Sequence, residues 1–233
     1  MSKFSNHATV VLVHGAWADG SSWNQIVLPL LHQGLNVICA PIPLTSLSDD
    51  IAALNRVLER TEGPVLLAGH AYAGAVIAAA KDEKVRSLVY VAALAPDEGE
   101  TVAEVFYREK PHPQAPQLQP DAHGLIWMPK AGFQNAFAQN ASDEVKAISE
   151  SVQRPISVHC IQEKSPKPAW KSKPSWYLIA EEDRMISPKT QHFLAERMGA
   201  KVRSHPVDHT PLLTAPELVI DIISEAASET LVS

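Results

Sequence analysis

Short apolar runs rich in β-branched residues alternate along this chain with longer runs in which apolar residues recur every three or four positions. The short runs are Thr9–Val13, Asn36–Ala40, Val65–Ala68, Val85–Val91, Trp176–Ala180 and Lys201–Ser204, and each predicts a strand. Asn36–Ala40 is stopped by Pro41 and Pro43. The longer runs predict helices. Ser22–Gln33 sets Trp23, Ile26, Val27, Leu30 and Leu31 on one side. A second helix, capped by Ser48 or Asp49, runs to about Thr61 with Ile51, Leu54, Val57 and Leu58 at helical spacing. Ala73–Lys81 is short and rich in alanine. Pro188–Met198 opens on a proline suited to a first turn, and a last helix runs from Pro216 to about Ala227. The strands read as continuous apolar stretches rather than alternating ones, which marks a parallel sheet covered on both faces. Strand–helix alternation with right-handed crossovers then predicts a three-layer α/β fold around a mostly parallel six-stranded sheet.

The alternation fails between Pro96 and Pro174. Nine of the 18 prolines (111, 113, 116, 120, 129, 155, 166, 168 and 174) fall there. Average usage predicts about 12 Pro and about 16 Gly for this length, so the chain's 18 Pro and 10 Gly leave a proline surplus, and that surplus is concentrated here. Helix is expected at Ala131–Gln139 and Asp143–Val152. A structureless loop of this length is uncommon in a compact domain, and Trp127, Met128, Phe133, Phe137 and Trp170 give the stretch apolar mass of its own. Residues 97–173 are therefore expected to form a small cap inserted into a single domain whose core is 1–96 and 174–233.

Composition narrows the class. The chain has 233 residues, 20 basic and 26 acidic, for a net charge of −6, and 45% of residues are hydrophobic. That mild acidity argues against nucleic acid or an anionic membrane as partner. The two cysteines, Cys39 and Cys160, lie far apart and form neither a disulfide framework nor a zinc ribbon. Two free thiols suit a reducing compartment, so a cytoplasmic location is expected. The apolar run Ala8–Val13 is too short for a signal sequence, and no run approaches the length of a membrane span.

Chemistry concentrates at strand ends. The third strand runs into Gly69-His70-Ala71-Tyr72-Ala73-Gly74 and a helix follows at once. A strand, a sharp turn flanked by small residues and a helix form the setting of a nucleophile elbow, G-x-S-x-G, whose centre carries the attacking group. Here the centre is Ala71. Gly69 and Gly74 have a phosphate loop's glycine spacing, but Ala75-Val76 follows instead of Lys-Ser/Thr, so that reading fails. The fifth strand ends in Glu181-Glu182-Asp183 before a helix, where a triad carboxylate belongs, with Asp183 favoured over its two neighbours. The sixth is followed by Asp208-His209-Thr210-Pro211, which places His209 as the triad base and Asp208 as a turn residue. Pro206 keeps His205 and His209 off one helix face and no third ligand is evident. No metal and no cofactor are expected.

The order elbow, acid, histidine is that of the α/β-hydrolases. Through VVLVHGAWADGSSW, LLAGHAYAGAVI, LIAEEDRMISP and VDHTPLLTAPELV, the chain outside the insert resembles that superfamily. It is similar to the compact branch of plant methylesterases, hydroxynitrile lyases and their bacterial esterase relatives. The resemblance implies an esterase-like protein acting on or binding a small ester or carbonyl compound. It implies an oxyanion hole built from the N–H groups of Ala16 and Tyr72, a pocket lined by Trp17, His70 and Trp127, and a possible homodimer. Two departures matter. The branch usually reads G-H-S-x-G-G where this chain has Ala71 and Ala73. Gly15 and Thr210 stand where hydroxynitrile lyases carry threonine and lysine, which argues against cyanohydrin cleavage.

Without an oxygen at position 71 no acyl-enzyme can form. Loss of a triad serine costs on the order of 10⁶ in turnover in a protease precedent, with ~10³–10⁴ over water remaining. That is about 8 kcal/mol of barrier reduction. Ala71 marks either a native nucleophile-less relative or a serine replaced by alanine; the second departure at Ala73 favours the first. The surviving parts allow three outcomes: a disabled esterase, general-base hydrolysis or lysis by His209 and Asp183, and small-molecule binding without chemistry.

Overall fold

The computed structural model describes residues 4–232. Strands β1 (Thr9–Val13), β2 (Asn36–Ala40), β3 (Val65–His70) and β4 (Val85–Val91) are joined by helices α1 (Asn24–His32), α2 (Leu47–Leu58) and α3 (Ala73–Ala78). The insert follows, with α4 (Val102–Phe106), β5 (Leu125–Ile126), α5 (Lys130–Gly132), α6 (Asp143–Ser151), β6 (Ile156–Ser157) and α7 (Val158–Gln162). The chain returns through β7 (Ser175–Ala180), α8 (Pro188–Met198), β8 (Lys201–His205), α9 (Pro211–Thr214) and α10 (Pro216–Thr230).

The six long strands form one sheet in the order β2–β1–β3–β4–β7–β8, and every pairing in it is parallel. Successive side chains of a strand point to opposite faces. Val11, Val13 and Leu67 accordingly pack with Leu54, Ile77 and Leu194 of α2, α3 and α8 and with Phe133 of the insert. Val10, Leu12, Leu66 and Ala68 pack on the other face with Ile26 and Leu30 of α1 and Val219 and Ile223 of α10. This double burial explains why the strands lack alternation. The exceptions are the two edge strands, the half-buried β2 and the mostly exposed β8. On β8, Arg203 pairs with Glu225 at 2.6 Å and Lys201 with Glu229, both on α10, and charged edge residues of this kind discourage pairing with another sheet.

Strand order reverses at β1, whose neighbours are β2 and β3. The loops leaving the carboxyl ends of β1 and β3 therefore diverge, and a crevice opens between them. The insert lies over that crevice. Trp17 Nε1 donates to Ile126 O at 2.9 Å, Thr210 Oγ1 to Phe137 O at 3.1 Å, and Asn140 N to Asp208 Oδ2 at 3.0 Å.

Several boundaries differ from those the pattern predicts. Gly20–Trp23 is a tight 3₁₀ turn ahead of α1, because the Asp19 side chain takes the Ser21 N–H at 2.8 Å. Helix α2 starts at Leu47 because Ser46, rather than Ser48 or Asp49, accepts the Asp49 N–H at 3.0 Å. Helix α3 ends at Ala78. Within the insert, Phe133–Phe137 forms a π-turn in place of a regular helix. The antiparallel β5–β6 pair has two residues per strand, too few for any periodicity to register. Among the described residues no helix is long and apolar enough to cross a membrane.

Candidate active site

Ala71 has φ +51°, a left-handed conformation that costs a non-glycine residue roughly 1–2 kcal/mol. Its neighbours enforce that geometry. The Ala71 N–H donates to Val91 O at 3.2 Å, and its carbonyl accepts from Leu94 N at 2.9 Å and Gly74 N at 3.1 Å. A Cβ on Gly74 would lie 2.2 Å from Leu94 O, and one on Gly69 3.0 Å from the Ala73 backbone. The turn therefore leaves no room for a side chain at position 74 and little at position 69. Gly15 is constrained in turn: its Cβ would lie 3.1 Å from that of Ala71. The loop after β1 thus runs against the elbow, and within the described chain the N–H groups of Ala16 and Tyr72 make no hydrogen bond.

Asp183 stands past the end of β7 with its carboxylate fully enclosed. Oδ1 accepts from the N–H groups of Met185 (2.7 Å) and Ile186 (2.9 Å), and Oδ2 from Gln191 Nε2 and His209 Nδ1 (both 2.8 Å). Four donors on one buried carboxylate fix its orientation. With Nδ1 donating to Asp183, His209 keeps Nε2 as its acceptor nitrogen. Gln191 links the acid to the sheet, since its Oε1 accepts the Ala180 N–H at 3.0 Å. Glu181 turns outward to His192, and Glu182 binds Asn140 of the insert. Asp208 is a buried turn residue that accepts from Thr210 N and Thr214 Oγ1.

Ala16, Trp17, Ala71, Tyr72 and His209 all border one cavity. Its other walls are Leu94, Val102, Ala103, Phe106 and Tyr107, Leu118, Ile126, Ile156 and Ile161 of the insert, and Met185 and Ile186, with no Lys, Arg, Asp or Glu among them. Two residues expected at the pocket lie elsewhere. Trp127 is 48% exposed with its Nε1 on Asp121, because in β5 and its extension Ile126 takes the inward position and the next side chain points out. His70 lies beneath the site. Its Nε2 meets His209 O at 2.7 Å, and it borders a separate cleft behind Trp17. Burial, aided by neighbouring His209, holds the His70 ring down at about 3, so it stays neutral and positions the His209 loop. Phe137 completes the packing, its ring centroid 5.4 Å from that of His209.

The sequence profile of the alpha/beta hydrolase family matches residues 10–222. The chain belongs to that family. A search of curated proteins found no match. Among solved structures, this alpha/beta hydrolase is similar to polyneuridine aldehyde esterase, at 19% identity over 95% of this chain and 100% of the other, with a TM-score of 0.84. It is also similar to a pyrethroid hydrolase from Sphingobium faniae JZ-2 (21% identity, 94% and 97% covered, TM-score 0.81). A third is the methylesterase protein MES16 from Arabidopsis (17%, 95% and 99%, TM-score 0.78). These likenesses establish the fold, and the neighbours named are hydrolases. Gln191, Phe137 and Asp50, described below, are parts of the hydrolase's site region that sequence reasoning missed. A glutamine eight residues past an acid and a phenylalanine within an irregular insert carry no local signal.

Proposed function

We propose that this alpha/beta hydrolase takes a small, mainly apolar ester and hydrolyses it without an acyl-enzyme, with His209 as general base. The reading rests on one observation. The buried Asp183–His209 pair is complete and opens on the same cavity as Ala71, which has no oxygen to activate. A histidine held by a carboxylate in its Nδ1–H tautomer can take a proton at Nε2. A water in the space beside Ala71 would give that proton to Nε2 as its oxygen bonds to the ester carbon. The carbonyl oxygen becomes an oxyanion facing the N–H groups of Ala16 and Tyr72. When the tetrahedral species collapses, the ester C–O bond breaks and the Nε2 proton passes to the departing alkoxide. The products are one acid and one alcohol. The uncharged walls favour a neutral substrate, and the insert serves as a cap that limits bulk water.

Ala71 itself favours a second reading, in which the protein binds a carbonyl compound without turning it over. Turnover of p-nitrophenyl esters by the parent chain, by His209→Ala and by Ala71→Ser separates the two. General-base hydrolysis requires slow turnover by the parent that disappears in His209→Ala, with no burst of p-nitrophenol. An inactive parent that binds a neutral ketone, together with an active Ala71→Ser form, supports binding alone. A parent that shows a stoichiometric burst refutes both readings, because a nucleophile other than residue 71 must then exist.

A further inference from the structure

One buried carboxylate has no place in the chemistry above. Asp50, in the first turn of α2, is 0% exposed, and among the described residues it forms no ion pair. Three groups from three different parts of the chain converge on it. The Leu44 N–H donates to Oδ1 at 2.7 Å, the Tyr72 hydroxyl to Oδ2 at 2.7 Å, and the Cys160 thiol to Oδ2 at 3.6 Å. Tyr72 follows Ala71 at the elbow, and Cys160 lies on α7 of the insert. Burial pushes the Tyr72 hydroxyl well above its usual range and the Cys160 thiol up to about 12, so both keep the protons they donate.

The segment around Asp50 also grips the insert directly. The Ser157 N–H donates to Leu44 O at 3.0 Å, and the Glu163 carboxylate accepts the Ser48 N–H at 2.8 Å. Leu44 itself has φ +62°, an unfavourable conformation for leucine that the bond to Asp50 helps to hold. Asp50 is thus the point at which the 44–50 segment, the seat of α7 and the side chain of Tyr72 meet.

We infer that Asp50 is a positioning residue: by gripping the Tyr72 hydroxyl it fixes the backbone of the elbow, and hence the direction of the Tyr72 N–H, while tying that N–H to the seating of α7. This rests on the reading of Tyr72 N–H as an oxyanion donor. An N–H aimed at developing charge contributes to the transition state far more than to ground-state binding, so a misaimed donor lowers kcat and leaves KM nearly unchanged.

The test uses Asp50→Asn and Tyr72→Phe, singly and together, in the parent and in Ala71→Ser, with p-nitrophenyl butyrate as substrate. Each single variant is expected to lower kcat about tenfold or more with KM changed less than about threefold. The double variant is expected to be no worse than the weaker single one, because both changes cut the same link. Unchanged kcat, a rise in KM alone, or losses that multiply in the double variant each overturn the inference. Should Asp50→Asn fail to fold, Tyr72→Phe alone decides it by the same split. If parent and Ala71→Ser are both inactive, the functional reading fails separately. Hydrogen exchange then decides the link: protection lost together at residues 71–78 and 158–162 in Tyr72→Phe upholds it, and protection unchanged at either overturns it.

Discussion

Replacing Asp50 by Asn removes one pH-dependent contribution to the stability of this protein, of a size the structure supplies. Burial lifts the Asp50 carboxyl from 3.8 to about 6, against the opposing effects of Tyr72, Leu44 and Cys160. A carboxyl with a raised folded-state value binds more protons folded than unfolded between the two values. Its contribution to stability is therefore greatest at low pH and is lost as pH rises through about 6. The rise from 3.8 to about 6 corresponds to about 3 kcal/mol in total, of which about 2 kcal/mol falls between pH 4.5 and pH 8. Asparagine has nearly the same size and does not titrate. It gives up some hydrogen bonding, which shifts its stability by a pH-independent offset. Urea unfolding followed by far-UV circular dichroism, for parent and variant at pH 4.5, 6 and 8, isolates the Asp50 contribution. Every other titrating group is common to both chains and cancels in the difference. The stability of Asp50→Asn minus that of the parent should rise by about 2 kcal/mol from pH 4.5 to pH 8. A difference constant across that range, or one that falls, refutes the assignment of Asp50 as a carboxyl destabilised by burial.

Asp183→Asn should lower turnover by about 10⁴ in whichever form is active, parent or Ala71→Ser, because an amide in place of Oδ2 leaves His209 in the wrong tautomer; the measurement is kcat, with circular dichroism to confirm folding. Gly74→Ala should destabilise by about 2 kcal/mol or more, since its Cβ would lie 2.2 Å from a backbone oxygen that cannot rotate away, and a thermal melt reads the loss. Trp127→Ala should leave KM for small esters unchanged within about twofold, because its ring faces solvent; a large rise in KM would bring that ring into the binding site.

The elbow shows how far local sequence reaches. Gly69 and Gly74 around residue 71 are legible because a strained turn crowds a Cβ at fixed offsets, and in the structure one would clash at position 74 and fit tightly at position 69. The insert shows the limit. Its proline-rich stretch was recognisable as an interruption, but its two-residue strands, its π-turn and the outward side of Trp127 depend on contacts with the sheet ends rather than on any period. His70 is an intermediate case. Its position beside the elbow suggested a pocket residue, but the backbone carries its ring under the His209 loop instead.

The sequence by itself determined the parallel α/β architecture, the order in which elbow, acid and histidine occur, and the absence of a nucleophilic oxygen at position 71. Each of these is written in neighbouring residues or in short periods. Only the tertiary structure decided that Asp183, of three adjacent acids, meets His209 26 positions away. It also brought Asp50 to Tyr72 across 22 positions and to Cys160 across 110. The physical reason is range. Propensity and hydrophobic period act over a few residues, whereas the partner of a buried polar group is set by where the packed elements bring distant donors together.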